Sequence, residues 1–366
     1  MTPASPPAGT ASSGPGPVMT AQRDPFWHRL HRLPKTDLHI HLDGSIRPAT
    51  LIELADARGR SLPTRDAEAL ASYMHVTDAR DLVDYLARFE ITLSVLQSAE
   101  SLERVAFELV EDAAAENVRY MEVRFSPILN TREGLDVHAV VDAVLAGLRR
   151  GEAAAGTRTA LIICALRNFD PVTSIGLAQV AVDFKGRGVV AFDLAGPERG
   201  HPPAAHREAF RLAARASLPV TVHAGEAFGP ESIHQALHDC GARRIGHGTR
   251  LCEDPALMDY VNDFRIPIEI CLTSNVQTRV AEDFAAHPLR RFFDAGMVVS
   301  LNTDNRLMSA TTMTDEFWRA HRHLGLDWTQ LTEIALMGFN TAFLPHRERT
   351  GLVAAVRQEI AELGAA

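Results

Sequence analysis

Eight short runs rich in apolar and β-branched residues recur along the chain, and helical patterns separate most of them. The runs are Asp37–Leu42, Val118–Phe125, Thr159–Leu166, Gly188–Leu194, Pro219–His223, Arg244–His247, Ile266–Leu272 and Met297–Asn302. Between them lie amphipathic stretches such as Glu103–Glu116, Val137–Glu152, Ser174–Phe184 and His206–Ala216. Strands that alternate with helices pair in parallel through crossover helices. Eight such units predict a closed (β/α)8 barrel of the TIM type rather than an open sheet. A doubly wound sheet would want a glycine-rich phosphate loop after its first strand, and Gly44 stands there alone.

At 366 residues the chain suits one barrel with insertions, since such domains run from about 250 to more than 400 residues. Residues 26–366 are read as that single domain. Residues 1–25 form a Pro-, Ala-, Gly- and Ser-rich tail, expected to be disordered, without the basic start and apolar stretch of a signal peptide. Met19 is a second candidate start beside Met1. The first crossover is too long for one helix. Helical patterns at Pro48–Arg58, Ala67–Met74, Ala79–Leu96 and Leu102–Glu116 predict a helical insertion after strand one. At the C-terminal end of a barrel such an insertion makes a lid or wall over the site. A last pair, Trp328–Met337 and Leu352–Leu363, is expected around the barrel's outside.

The net charge of -9 is spread along the chain with no basic stripe, which argues against nucleic acid as a partner. No apolar run approaches the roughly 20 residues that cross a bilayer. Cys164, Cys240, Cys252 and Cys271 are far apart and show no CxxC spacing. They read as free thiols in a reducing, cytoplasmic compartment and argue against cysteine-bound zinc. Oligomeric state leaves no mark in the sequence.

The chemistry gathers at the strand ends. Residues two apart in a strand face the same side, so His39 and His41 converge just before the loop at Gly44. Strand four ends Asp193-Leu194-Ala195-Gly196, strand five His223-Ala224-Gly225-Glu226, and strand six Gly246-His247-Gly248. Strand eight ends Asn302-Thr303-Asp304-Asn305. In a barrel all of these surround one mouth. His39, His41, His223 and Asp304 can then reach one ion, a donor set that suits zinc and leaves a position for water. Such an ion lowers the pKa of its water from about 15.7 towards 7. Glu226, just past His223 at the start of a loop, is suited to pass a proton to substrate. His247, flanked by glycines that let substrate or water come close, can hold the attacking water or help remove its proton. Each residue also has a bland reading: a core histidine for His223, a turn residue for His247, an N-cap for Asp304, a first-turn acid for Glu226. Those readings would have to hold at several strand ends at once. The remaining histidines sit in helical or loop contexts and read as surface or structural.

The segments Pro34–Pro48, Glu122–Pro127, Phe192–Gly196, Val222–Glu226, Arg244–Gly248, Ser274–Thr278 and Ser300–Asp304 resemble the adenosine deaminase family of metal-dependent hydrolases. The similarity runs from about residue 30 to 345, with the motifs in the family's order. It implies one zinc per chain on His39, His41, His223 and Asp304, and Glu226, His247 and Asp304 as the catalytic set. Glu226 would protonate purine N1, and His247 would position and polarise the water while Asp304 shares its proton. The resemblance further implies a substrate-binding set of His41, Asp43, Gly196 and Asn305. The Gly196 amide would meet purine N3, and Asp43 would accept from the ribose 5′-hydroxyl. Binuclear members of the wider superfamily carry a modified lysine at the end of strand four. Gly196 stands there, and a single metal is expected. The family's common aspartate facing purine N7 is Asn305 here, whose amide donates at any pH.

The implied reaction is hydrolytic deamination of adenosine and 2′-deoxyadenosine, within purine salvage. The alternative keeps the chemistry and changes the appendage, to adenine or a 5′-modified adenosine such as aminodeoxyfutalosine. The zinc deaminases of cytidine and flipped bases are excluded, because no PCxxC is present. A non-catalytic nucleoside-binding barrel would have no need of Glu226.

Overall fold

The computed structural model describes residues 24–76 and 82–365, so most of the tail expected over 1–25 lies outside the described residues. Asp24 caps a helix at Pro25–Arg32 by accepting from the Phe26 amide. The strands follow as β1 (Lys35–His41), β2 (Val118–Phe125), β3 (Arg158–Leu166), β4 (Val189–Ala195), β5 (Thr221–Ala224), β6 (Arg244–His247), β7 (Ile268–Ile270) and β8 (Val299–Leu301). They pair in parallel in the orders β1-β2-β3-β4 and β5-β6-β7-β8.

Two bridges join the halves. The Phe192 amide donates to Pro219 O at 3.0 Å, tying β4 to the start of β5. The Asp304 amide donates to His39 O at 2.8 Å, and the His41 amide returns to Asp304 O at 2.7 Å. The residue expected to bind metal is thus also the one that closes the barrel. Closure leaves no sheet edge exposed.

The outer helices owe their limits to local sequence. In Val137–Ala155, Asp136 accepts from the His138 and Ala139 amides at the start. Gly156, at φ 80°, ends the helix in a left-handed turn that costs glycine little. Gly147 and Gly151 let this helix approach Ala99–Ala115, against Glu103 O and Val110.

The insertion after β1 is built as expected, with one difference. The pattern over Ala79–Leu96 forms two helices, Leu82–Leu86 and Phe89–Val95, broken at Ala87 and Arg88; residues 77–81 lie outside the described residues. Leu82, Tyr85, Leu86, Phe89 and Leu93 keep helical spacing across the break, so the pattern alone could not show it. The bend turns Leu82, Tyr85, Phe89 and Leu93 over the barrel mouth.

The C-terminal pair, Trp328–Thr341 and His346–Ala365, does more than flank the barrel. Phe339, Ala342 and Val356 form a second small core with Leu38, Tyr120 and Ala160. The Arg244 guanidinium stacks 3.7 Å over Phe343, and the Phe343 amide donates to Glu122 Oε1 at 2.6 Å. These helices therefore also plug the lower end. No helix among the described residues is long and apolar enough to cross a membrane.

Candidate active site

β1, β5 and the turn after β8 bring their side chains to one point. The His39 ring lies 5.5 Å from that of His41 and 4.4 Å from that of His223, between centroids. Asp304 Oδ1 lies 3.4 Å from His41 Nε2 and 3.6 Å from His39 Nε2. His41 Nε2 and His223 Nε2 face each other at 3.1 Å.

The rings are held from behind. His39 Nδ1 donates to Glu269 Oε2 at 2.8 Å, and His223 Nδ1 to Asp193 Oδ2 at 3.0 Å. Those bonds put the protons on Nδ1 and turn the Nε2 lone pairs inward. His39 Nε2 is buried with no hydrogen-bond partner among the described residues. Burial first, then neighbouring positive groups, pushes His39 and His41 well below the ordinary histidine value, so both imidazoles are neutral. Inward-facing lone pairs on neutral rings, beside a carboxylate, fit a divalent cation.

The charge beneath the rings agrees. Arg124 bridges Asp193 and Glu269 at 2.8 and 2.9 Å, and Arg244 bridges Glu269 and Glu122. Three carboxylates therefore meet two guanidinium groups in the barrel interior. Asp304 adds a further carboxylate, so this cluster lacks two positive charges. A divalent ion supplies that number.

His247 leaves β6 with φ 62°, and Asp304 leaves β8 with φ 59°. Both are left-handed values that cost a side chain about 1–2 kcal/mol and that cluster at functional sites. Of the two glycines beside His247, Gly246 makes room for packing: a Cβ there would lie 2.9 Å from His39 Cε1 and 3.2 Å from His223 Cα. The His247 tautomer is set by a chain of donors. The Leu289 amide donates to His287 Nδ1 at 3.1 Å, His287 Nε2 donates to Asn275 Oδ1 at 3.1 Å, and Asn275 Nδ2 donates to His247 Nδ1 at 3.0 Å. The His247 proton therefore sits on Nε2, which points 3.7 Å from Glu226 Oε2.

Glu226 is buried, and burial first, then the negative charges of Asp304 and Glu198, raises its carboxyl well above the ordinary glutamate value. Burial thus favours its protonated, uncharged form. Asp43, Gly196 and Asn305 line the same cavity of about 280 Å³, roofed by the lid residues. Burial raises Asp43 to about 6. Asn305 lies against Gly44, where a Cβ would collide with its side-chain amide.

All the residues expected from the sequence thus meet at one mouth. Sequence reasoning gave no role to a second layer: Glu269 and Glu198, Arg124 and Asn275 within the quoted segments, and the pocket-lining Ser126, whose hydroxyl is buried without a partner among the described residues. Charged residues inside apolar runs, Glu122 and Arg124 in β2 and Glu269 in β7, were the available signal. His287, one of the histidines expected to be surface or structural, is buried, and its bonds lead through Asn275 to His247.

A closed parallel barrel that aims three imidazoles and a carboxylate at one point, beside a buried carboxylic acid, defines a metal-dependent hydrolase. The sequence model of the adenosine deaminase family matches residues 34–359. An adenosine deaminase of Mycobacterium sp. (strain JLS) is 42% identical over 342 residues, which cover 88% of this chain and 94% of that one. Among solved structures, the adenine deaminase of Arthrobacter aurescens superposes with a TM-score of 0.84 at 26% identity, covering 91% of this chain and all of that one. The arabidopsis ADAL complexed with IMP gives 0.80 at 27%, covering 91% and 98%. The chain belongs to the adenosine deaminase family.

Proposed function

We propose that this protein converts adenosine and 2′-deoxyadenosine, with water, to inosine or 2′-deoxyinosine and ammonia. The observation that carries the reading is Glu226: a buried acid whose Oε2 lies 3.7 Å from His247 Nε2, in the cavity where the imidazoles converge, with burial favouring its neutral form. A binding protein has no use for such a group. His39, His41, His223 and Asp304 would hold the ion, and zinc suits three neutral imidazoles with one carboxylate. When bound, the ion supplies Lewis acidity that makes water a nucleophile near neutral pH.

The chain's own residues do the rest. The Gly196 amide and the Asn305 amide donate to purine N3 and N7 and fix the ring plane. Glu226 gives its proton to N1 as the water oxygen adds to C6, which leaves a tetrahedral carbon. His247 Nε2–H donates to the incoming oxygen and orients it. Asp304 takes the proton that the water loses and passes it to the 6-amino group. The C6–N6 bond then breaks and ammonia departs; N1 keeps the proton it received, and the proton that the C6 hydroxyl loses on becoming a carbonyl restores Glu226.

A nucleoside fits better than a nucleotide. Among the described residues lining the cavity the guanidinium is that of Arg132, which Glu90 engages through both oxygens at 2.7 and 3.0 Å. Asp43 suits a 5′-hydroxyl and would repel a phosphate. The 26%-identical adenine deaminase keeps free adenine as the second reading. We take residues 26–366 as one catalytic domain; the free cysteines fit a reducing cytoplasmic compartment, and the proposed reaction is one of purine salvage.

Ammonia release from adenosine, 2′-deoxyadenosine, adenine, AMP and 5′-substituted adenosines tests the substrate. Preference for adenine or a 5′-substituted nucleoside overturns the first choice. Glu226→Gln is expected to keep its metal and lose about 10²- to 10⁴-fold in kcat. The working form is protonated, so wild-type turnover is full below the raised Glu226 pKa and falls as pH rises through it. Near-normal rates in the variant would remove Glu226 from the reaction.

A further inference from the structure

Glu198 stands two residues past Gly196, in the loop after β4, and is buried. Its carboxylate accepts from four successive amides of the loop that carries Glu226. Gly225 donates to Oε1 at 2.7 Å; Glu226, Ala227 and Phe228 donate to Oε2 at 3.0, 2.6 and 2.8 Å. Amides that turn together onto one anion form a nest, and a carboxylate satisfies it at full charge. Gly225, at φ 69°, supplies the left-handed step that brings its own amide round.

The loop's other contacts come from elsewhere. Gly225 O accepts from Thr249 Oγ1 at 3.0 Å and from the Arg250 amide at 2.9 Å, and His223 O accepts from Arg167. The metal-site histidine is therefore fixed without Glu198, whereas the Glu226 amide is fixed by it. We propose that Glu198 is the positioning residue of the proton donor, joining the Gly196 turn that meets one edge of the purine to the loop whose acid meets another. The inference rests on the reading of Glu226 as the donor to N1. Without the carboxylate, four amides lose their acceptor and the loop must turn to find water. Glu226 then leaves the position its proton transfer requires, although substrate and metal still bind. A displacement near 1 Å costs a reaction about 10²-fold.

The test is a double-mutant cycle on the metal-loaded protein, with adenosine as substrate. Glu198→Ala and the isosteric Glu198→Gln, which puts an amide donor against the nest, are each made in wild type and in Glu226→Gln. In wild type both are expected to lower kcat on the order of 10²-fold, with KM within about threefold and metal content unchanged. In Glu226→Gln the same changes are expected to alter kcat by less than about threefold, because their route to the reaction is gone. Equal loss in both backgrounds, or metal and KM moving together with kcat, makes Glu198 a structural prop only and overturns the proposal. Should Glu198→Ala not fold, Glu198→Gln carries the comparison alone. If wild type releases ammonia from no 6-aminopurine, the parent reading falls first and takes this one with it.

Discussion

His247 shows how much chemistry a single tautomer carries. Its Nε2 proton is fixed through Asn275 and His287 by one backbone amide, so the ring is a donor into the cavity rather than a base. Asn275→Asp reverses that. An aspartate at 275 accepts from Nδ1–H and strips Nε2 of its proton, so the incoming oxygen meets a lone pair. Serine proteases with the wrong histidine tautomer lose about 10⁴-fold, and kcat is expected to fall by about 10²- to 10⁴-fold with metal retained. Steady-state kinetics beside elemental analysis decides it; unchanged kcat would free His247 from the chain. His39, His41, His223 and Asp304 were legible in the sequence because alternation along a strand and the strand's end fix where a side chain points. Asn275 and His287 were not, since each lies outside the strands and acquires meaning only from a partner that the folded chain brings near.

At the scale of elements the eight strands could be read, because short apolar runs separated by amphipathic helices leave few topologies. The seventh was read too long. Ile266–Leu272 became Ile268–Ile270, and a helix starts at Leu272. Apolar residues alone do not separate a buried strand from the buried first turn of a helix. The lid was foreseen as helical, but its attachment was not. Gln97 Nε2 donates to Leu93 O at 2.8 Å and to Leu129 O at 3.0 Å, and Gln97 Oε1 accepts from the Arg132 amide at 3.1 Å. One buried side chain thus ties the helix Phe89–Val95 to the loop after β2. Gln97→Ala leaves these groups without partners at about 1–2 kcal/mol, and KM is expected to rise about tenfold with a smaller change in kcat. Hydrogen exchange should quicken over residues 82–95 and not in β1–β8. Exchange that quickens throughout would mean that Gln97 supports the barrel rather than the lid.

The whole molecule is organised around a charge imbalance. Barrel interiors are filled mostly by branched apolar side chains, yet this one holds Glu122, Arg124, Asp193, Arg244 and Glu269, all buried. Charge in an apolar run pointed to this layer, but the pairing spans β2, β4, β6 and β7 and needs the closed barrel to exist. Removing one partner of a buried ion pair destabilises by about 3–5 kcal/mol, because the other charges stay behind. Arg124→Met is the sharpest case, since Asp193 and Glu269 both lose their shared guanidinium while still orienting His223 and His39. If the deficit of positive charge is what the ion corrects, the two defects must couple. In chelated protein Arg124→Met leaves Asp193 and Glu269 without their shared guanidinium and without the ion, Glu269 keeping only Arg244, and the loss of stability should reach the upper end of that range. In metal-loaded protein the ion compensates part of the charge, and the same substitution should cost less. Unfolding of both proteins, with and without a chelator, measures the difference. A cost independent of metal would show that the guanidinium answers only to its two carboxylates, and that the interior charge was never balanced against an ion.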